Sequence, residues 1–319
     1  MTPAAARAAR LRVALAFAAI WIIWGSTYLA IAIGIETIPP FVLAAARFLV
    51  AGGAMYLYAR SRGAPNPTRE QWKWAFLLGT MFFLVGNGVV VFVEQRVSSG
   101  LTALLVAMVS AWTAVIEWLR PGGEPPTAAV GLGIVLGFAG AALLLIPGEG
   151  ATSVPVLEAS LLAFSTFCWA LASVLSRGAR LPAETSMIAG AEMLAGGVAL
   201  TLLALVSGEV GRLGEIRVSG ASVAAFLYLI VFGSLVAFTC FAWLLRVSTP
   251  AKVSTAGYVN PMVAVFLGWA FHGEELTTRS LVASLVIIIG VALIITGRRA
   301  SPAASPSGEH PISAQAQEA

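Results

Sequence analysis

The stretch RVSSGLTALLVAMVSAWTAVIEWLRPGGEPPTAAVGLGIVLGFAGAAL (96–143) lies without a gap over RVSTPAKVSTAGYVNPMVAVFLGWAFHGEELTTRSLVASLVIIIGVAL (246–293), at a constant offset of 150. Twelve positions in this window are identical, among them Arg96/Arg246, Ser98/Ser248, Gly123/Gly273, Glu124/Glu274, Thr127/Thr277 and Gly140/Gly290. An earlier stretch repeats at an offset of 145, through Trp24/Trp169, Ala44/Ala189, Leu49/Leu194 and Gly52/Gly197. The chain is therefore two copies of one unit, hydrophobic throughout. In a membrane chain such duplication is the trace of a transporter assembled from structural repeats, with its site where the repeats meet.

Composition identifies the solvent. Charged residues make up 11% of the chain and hydrophobic residues 59%, whereas soluble domains are roughly 25% charged. Crossing the hydrocarbon core as a helix takes about 20 apolar residues. Ten stretches qualify: 13–35, 41–59, 72–94, 101–119, 128–146, 156–175, 185–206, 222–244, 253–271 and 280–296. The short loops between them hold most of the charge, so the net charge of +4 is no sign of nucleic-acid binding. The predicted fold is an all-α membrane protein of ten transmembrane helices in a lipid bilayer.

Of the 19 Lys and Arg residues, Arg96, Arg212, Arg217 and Arg279 fall on the outer side and Arg47 within a span, which leaves 14 on the inner side. This bias puts both termini in the cytoplasm. Five spans per copy is an odd number, so the second copy enters the membrane from the opposite face. The reading is two inverted five-helix repeats, 13–150 and 151–298. A tail, 299–319, is rich in Ala, Ser and Pro and is expected to be disordered. The first span is too long for a signal-peptide core. Cys168 and Cys240 both fall within spans, which argues against a structural disulfide or a thiol metal site.

The segments Trp24-Gly25-Ser26-Thr27-Tyr28, Glu36-Thr37-Ile38-Pro39-Pro40 and Ala46-Arg47-Phe48 resemble the start of an EamA-type transporter of the drug/metabolite transporter superfamily. So do Ser99-Gly100-Leu101-Thr102-Ala103-Leu104-Leu105 leading to Gly123-Glu124, and Tyr258-Val259-Asn260-Pro261 leading to Gly273-Glu274. The likeness runs from Val13 to Gly297. It implies a permease of the inner membrane, often an exporter of amino acids, metabolites or drugs, that works by alternating access. Many relatives carry Pro in the middle of the fourth span, where this chain has Ser110-Ala111. A hinge held by both repeats in the family is therefore expected here in the ninth span only.

Trp21, Trp24, Gly25 and Tyr28 share one face of the first helix, with Ser26 and Thr27 beside them near mid-span. Trp and Tyr favour membrane interfaces, so an aromatic group at mid-span points to the wall of a substrate cavity. Packing around Gly25 is the alternative. Trp169 joins the set as the repeat counterpart of Trp24. In the ninth span, Pro261 cannot donate to the carbonyl of Gly257, which kinks or loosens the helix. The freed carbonyl and the Asn260 side chain are tolerated only against protein or a water-filled cavity. Tyr258 lies on the same polar half, with Ser254 and Thr255. Pro261 is read as a hinge, with a static kink as its alternative. Asn87 lies deep in the third span on one face with Glu94, which is expected to reach interfacial water. Trp112, one turn beyond Met108, either lines the cavity or packs against its neighbours.

A charge at the bilayer centre costs on the order of 2.5–3.5 kcal/mol, so charged residues in spans usually have a task or a partner. Arg47 lies about 9 Å below the outer surface, at 1.5 Å per residue, and either neutralises a substrate carboxylate or snorkels outward. Glu192, its repeat counterpart, is a candidate proton carrier. Gly133 and Gly137 form a G-x-x-x-G that either packs within the monomer or makes a homodimer. Gly123-Glu124 and Gly273-Glu274, with Thr127 or Thr277 three residues on, read as helix-start elements rather than substrate contacts.

His272 and His310 are the only histidines. There is no Walker A, H-E-x-x-H or G-x-S-x-G motif, so no metal or other cofactor is expected. This favours a secondary transporter of a small-molecule substrate over a membrane-embedded enzyme. A sensor or lipid-handling protein on a transporter-like body is the third reading. An aromatic, weakly polar cavity suits amino acids, amphipathic metabolites or drugs without choosing among them.

Overall fold

A chain without water around it must satisfy its backbone internally, and long apolar runs do so as helices. The computed structural model describes residues 3–146, 154–248, 253 and 256–297, and all regular structure among them is helical. The tail 299–319, and most of the loop between the two repeats, lie outside the described residues. Among the described residues nine helices are long and apolar enough to span a membrane. They are Arg7–Ile35, Pro40–Ser61, Arg69–Val93, Ser99–Leu119, Ala128–Leu145, Val156–Leu175, Thr185–Val206, Gly220–Leu244 and Thr278–Thr296. A shorter apolar helix, within Ala256–His272, takes the ninth place in chain order. Polar side chains start the helices where the sequence turns: Thr68, Ser98, Thr127, Ser219 and Thr277 each accept a backbone N–H in the first turn.

Three spans are not continuous α-helix. The third widens into a π segment at Thr80–Asn87 and the eighth at Leu229–Val236. A π turn shifts backbone carbonyls out of the regular ladder, and such turns are frequent at functional sites. Here the carbonyl of Gly86 accepts from Ser165 Oγ at 3.1 Å, and that of Gly233 from Trp24 Nε1 at 3.2 Å. Each π segment is thus tied to the first helix of the other copy.

The fourth span, expected to carry no hinge for want of proline, is broken at Ala107-Met108, between Ser99–Val106 and Val109–Leu119. Met108 N donates to Leu105 O and Ser110 N to Ala107 O, both at 3.1 Å, so the turn tightens to i→i−3 bonding. Packing accounts for the bend, because the span meets the ninth at two close approaches. A Cβ on Gly100 would come within 3.1 Å of Val265, and one on Gly257 within 2.5 Å of Ser110 Oγ.

Small residues bring the helices together. Gly52 faces Met193 and Leu194, and Gly190 faces Tyr56, where the second and seventh spans meet. Gly133 packs on the Gly290 backbone and Gly290 on that of Gly133 and Gly137, where the fifth and tenth meet. The G-x-x-x-G therefore packs within the monomer. Large apolar side chains such as Leu57, Val135, Val206, Phe266 and Trp269 are exposed around the bundle, as a lipid-facing surface requires.

Candidate functional site

All the spans except the fifth and tenth contribute to the wall of a central cavity of about 220 Å³. Its aromatic wall is Trp24, Tyr28, Phe48, Phe83, Trp169, Phe238 and Phe241. Trp24 packs edge-on to Trp169 at 6.4 Å between ring centroids and against Phe241 at 4.9 Å, and Phe82 supports Trp169 at 4.9 Å. Gly86 leaves room for the Trp169 ring, since a Cβ there would meet it at 2.7 Å. The π segments thus set both the height and the tilt of the two counterpart tryptophans.

Several polar groups in the wall are occupied by bonds within the protein. Thr27 Oγ1 donates to the Trp24 carbonyl at 2.7 Å, and Asn87 Nδ2 to the Phe82 carbonyl at 3.1 Å. In the orientation that satisfies its neighbours, the Asn260 amide nitrogen donates to the carbonyls of Ala256, Trp21 and Ile20 at 3.2, 3.0 and 3.3 Å. Asn260 thereby ties the ninth span to the first, beside Pro261.

Arg47 is the exception. It lines the cavity, is 5% exposed and does not snorkel outward. Its Nε donates to Ser234 Oγ at 2.8 Å, and its Cζ lies 4.7 Å from the centroid of the Phe48 ring, a cation–π contact. The ion pairs among the described residues are Arg96–Glu158, Arg177–Glu117 and Arg180–Glu70, so the enclosed guanidinium has no carboxylate opposite it.

The structure brings together Trp24, Thr27, Tyr28, Arg47, Asn87, Trp169, Asn260 and Pro261 around one space. Three other candidates stand apart from it. Ser26 Oγ hydrogen-bonds to the Tyr228 hydroxyl at 2.6 Å, outside the cavity wall. Trp112 is held edge-on between Phe138 and Phe167, with its Nε1 buried and unpartnered. Glu192 is buried in the seventh span and is not itself in the wall, which its neighbour Met193 joins. Tyr258 belongs to the ninth helix, and its side chain lies outside the described residues, as do Ser254 and Thr255.

The sequence reading missed Gly233 and Ser234, which sit in the run Leu229–Val236. A Gly-Ser pair in so apolar a stretch was the available signal. It also misplaced Glu94, expected at interfacial water but 8% exposed.

The two ends of the cavity differ. Toward one end the wall includes Ser173 and Arg177, and the Arg177 side chain is 37% exposed where it pairs with Glu117 at 2.6 Å. The other end is closed by cross-links. Glu274 accepts from Ser99 N at 2.7 Å and Gly100 N at 3.0 Å, at the start of the fourth span. Arg96 pairs with buried Glu158 at 3.0 Å. Thr37 donates to Ser222, which donates on to the Ile33 carbonyl, each at 2.8 Å. Glu209 accepts from Val42 N at 3.0 Å. Burial pushes its carboxyl above the ordinary value, against the lowering effect of the Val42 and Phe41 amides.

The EamA-like transporter family model matches this chain twice, at residues 11–146 and 157–296. The chain belongs to that family. It is 36% identical to the uncharacterized inner membrane transporter YedA of Escherichia coli K12 over 290 residues, covering 89% of this chain and 91% of the relative. It is 27% identical to protein PecM of Dickeya dadantii, over 86% of this chain and 88% of that one. A solved crystal structure superposes with a TM-score of 0.63 at 20% identity, over 90% of this chain and 99% of the other, a likeness of fold. The protein is a multi-pass membrane transporter of the drug/metabolite type.

Proposed function

We propose that the protein moves small organic solutes bearing a carboxylate or similar anionic group, by alternating access across the inner membrane, in the direction of export. The observation that carries this reading is Arg47, an enclosed cation without an anion in the wall of an aromatic cavity. A buried charge is costly until it is paired, and a solute carboxylate would complete the site. The aromatic faces of Trp24, Tyr28 and Trp169 would take its apolar body. Amino acids, amphipathic metabolites and acidic drugs fit this description.

Two inverted five-helix repeats are part of the same reading. It is supported by the pairing of sequence counterparts: the second span packs with the seventh and the fifth with the tenth. The matched π segments of the third and eighth support it as well. With both termini cytoplasmic, as the charge bias implies, the Arg177 end faces the cytoplasm and the Glu274 end faces outward. The relatives named as inner membrane transporters support the location.

The test is equilibrium binding of amino acids and of their uncharged amides to purified protein. Removing one partner of a buried, hydrogen-bonded charge pair costs about 2–5 kcal/mol. Arg47→Gln should therefore lower affinity for the acid by at least about thirtyfold, and Arg47→Lys by less. The amide should bind wild type and Arg47→Gln alike. Equal binding of acid and amide by wild type would sink the anionic-solute reading.

A further inference from the structure

We propose that Glu94 is the proton-binding group of this transporter, and that closing the Glu274 end of the cavity requires a proton on it. The inference rests on the transport role of the family and not on the choice of solute.

Glu94 immediately follows the last helical residue of the third span, and both its carboxyl oxygens are buried without a hydrogen-bond partner. Two titratable groups from other elements bear on it electrostatically: the carboxylate of Glu274, from the loop between the ninth and tenth spans, and Tyr28 of the first span. Among the described residues no cation answers it. Arg96, two residues on, is paired with Glu158 of the sixth span, and Arg47 of the second is bonded to Ser234 of the eighth. His272, at the end of the ninth, is exposed. The hydroxyls of Ser99 and Thr102, in the chain that follows, are buried and unpartnered as well.

An ionised carboxylate buried without a donor is far costlier than its neutral form, and a second carboxylate beside it adds repulsion. Two backbone N–H groups at a helix start stabilise the charge on Glu274. Glu94 has no such help, so of the two it is Glu94 that holds the proton while this end is shut.

When the end opens, water reaches the carboxyl. The O–H bond breaks, its electron pair stays on the carboxylate oxygen, and the proton passes to water. Reclosing takes a proton back, because an ionised Glu94 cannot be buried beside Glu274. Tyr28 is a residue of the solute-cavity wall and also feels the charge of the Glu94 carboxyl. Proton binding and solute access are thereby linked at one gate. This gives the proton to Glu94 rather than to Glu192.

The experiment reads the gate without any solute. Thr102→Cys, fully buried in this conformation, is placed in a background lacking Cys168 and Cys240. In intact spheroplasts it is challenged with a membrane-impermeant thiol reagent. Rates are taken relative to exposed Gln95→Cys, which removes the intrinsic pH dependence of the thiol. If Glu94 is the proton site, relative labelling should rise by about tenfold per pH unit where Glu94 ionises. Glu94→Gln, a neutral and nearly isosteric stand-in for the protonated acid, should leave labelling low and flat with pH. Glu94→Asp should keep the rise and displace its midpoint.

Labelling of the wild type that does not change with pH, or a rise that survives in Glu94→Gln, overturns the proposal. So does an end that shuts with added sodium but not with acid. Because no solute is present, none of these outcomes bears on the carboxylate reading of Arg47.

Discussion

Gly123-Glu124 and Gly273-Glu274 are the same dipeptide at the same place in the two copies, yet they do different things. Glu274 reaches across to the other half of the chain and takes the first two amides of the fourth helix. Gly268 makes that reach possible, since a Cβ there would overlap the Glu274 carboxylate. Glu124 is exposed and makes no side-chain bond among the described residues. The helix starts after both dipeptides are made by Thr127 and Thr277. Neither glutamate therefore starts its own helix. One of them clamps a helix of the other copy, and the cavity is closed at the end where it does so. Three substitutions can break or sharpen that difference.

Glu274→Ala should have the largest effect. It removes two charge-assisted hydrogen bonds and leaves the fourth helix with unanswered N–H groups. Caps and charged hydrogen bonds of this kind are worth about 2–3 kcal/mol together. The expected outcome is a lower melting temperature of the purified protein and faster labelling of Thr102→Cys from the outer face. Glu274→Gln, which keeps one acceptor oxygen, should fall between. If Glu274→Ala and Glu124→Ala lowered the melting temperature equally, the contrast between the two ends would be an accident of packing.

Why one glutamate clamps and the other does not was out of reach of the sequence, because the partner amides are 175 and 174 residues from Glu274. What periodicity and duplication could carry was legible: the spans, the counterpart tryptophans, and a cavity between helices with Trp24, Tyr28 and Trp169 in its wall. The π segments were not legible. Thr80–Asn87 and Leu229–Val236 have the composition of ordinary transmembrane helix, and only the partners of Gly86 and Gly233 mark the wider turns. The bend in the fourth span was invisible for a related reason. Proline is one cause of a kink, and the sequence advertises it. Close approach to a neighbour such as Gly257 is another, and it belongs to the tertiary structure.

That second contrast, between the fourth and ninth spans, supports a prediction of intermediate size. The fourth span bends through packing at Ala107-Met108, while the ninth carries Pro261 and is tied to the first span through Asn260. Pro261→Ala gives the ninth helix back a backbone hydrogen bond and stiffens it. A hinge contributing about 1.4 kcal/mol to the barrier would then slow solute exchange in proteoliposomes about tenfold, with equilibrium binding retained. Unchanged exchange would make the proline a fixed kink and leave any flexing to the fourth span.

Glu124→Ala should have the smallest effect on stability, because an exposed side chain without a bond is worth within about 0.5 kcal/mol either way. Its value lies in the sign of a second measurement. If the two copies exchange roles during transport, Glu124 stabilises the opposite conformation, in which the Glu274 end stands open. Removing it would then shift the population toward the present, sealed conformer. Outer-face labelling of Thr102→Cys should slow, the reverse of the change expected for Glu274→Ala. The slowing should be the more modest of the two, since the sealed conformer already limits labelling and further bias has little left to remove. Glu274→Ala and Glu124→Ala moving the labelling rate in the same direction would mean that the repeated dipeptide does not alternate, and that its second copy is a surface loop only.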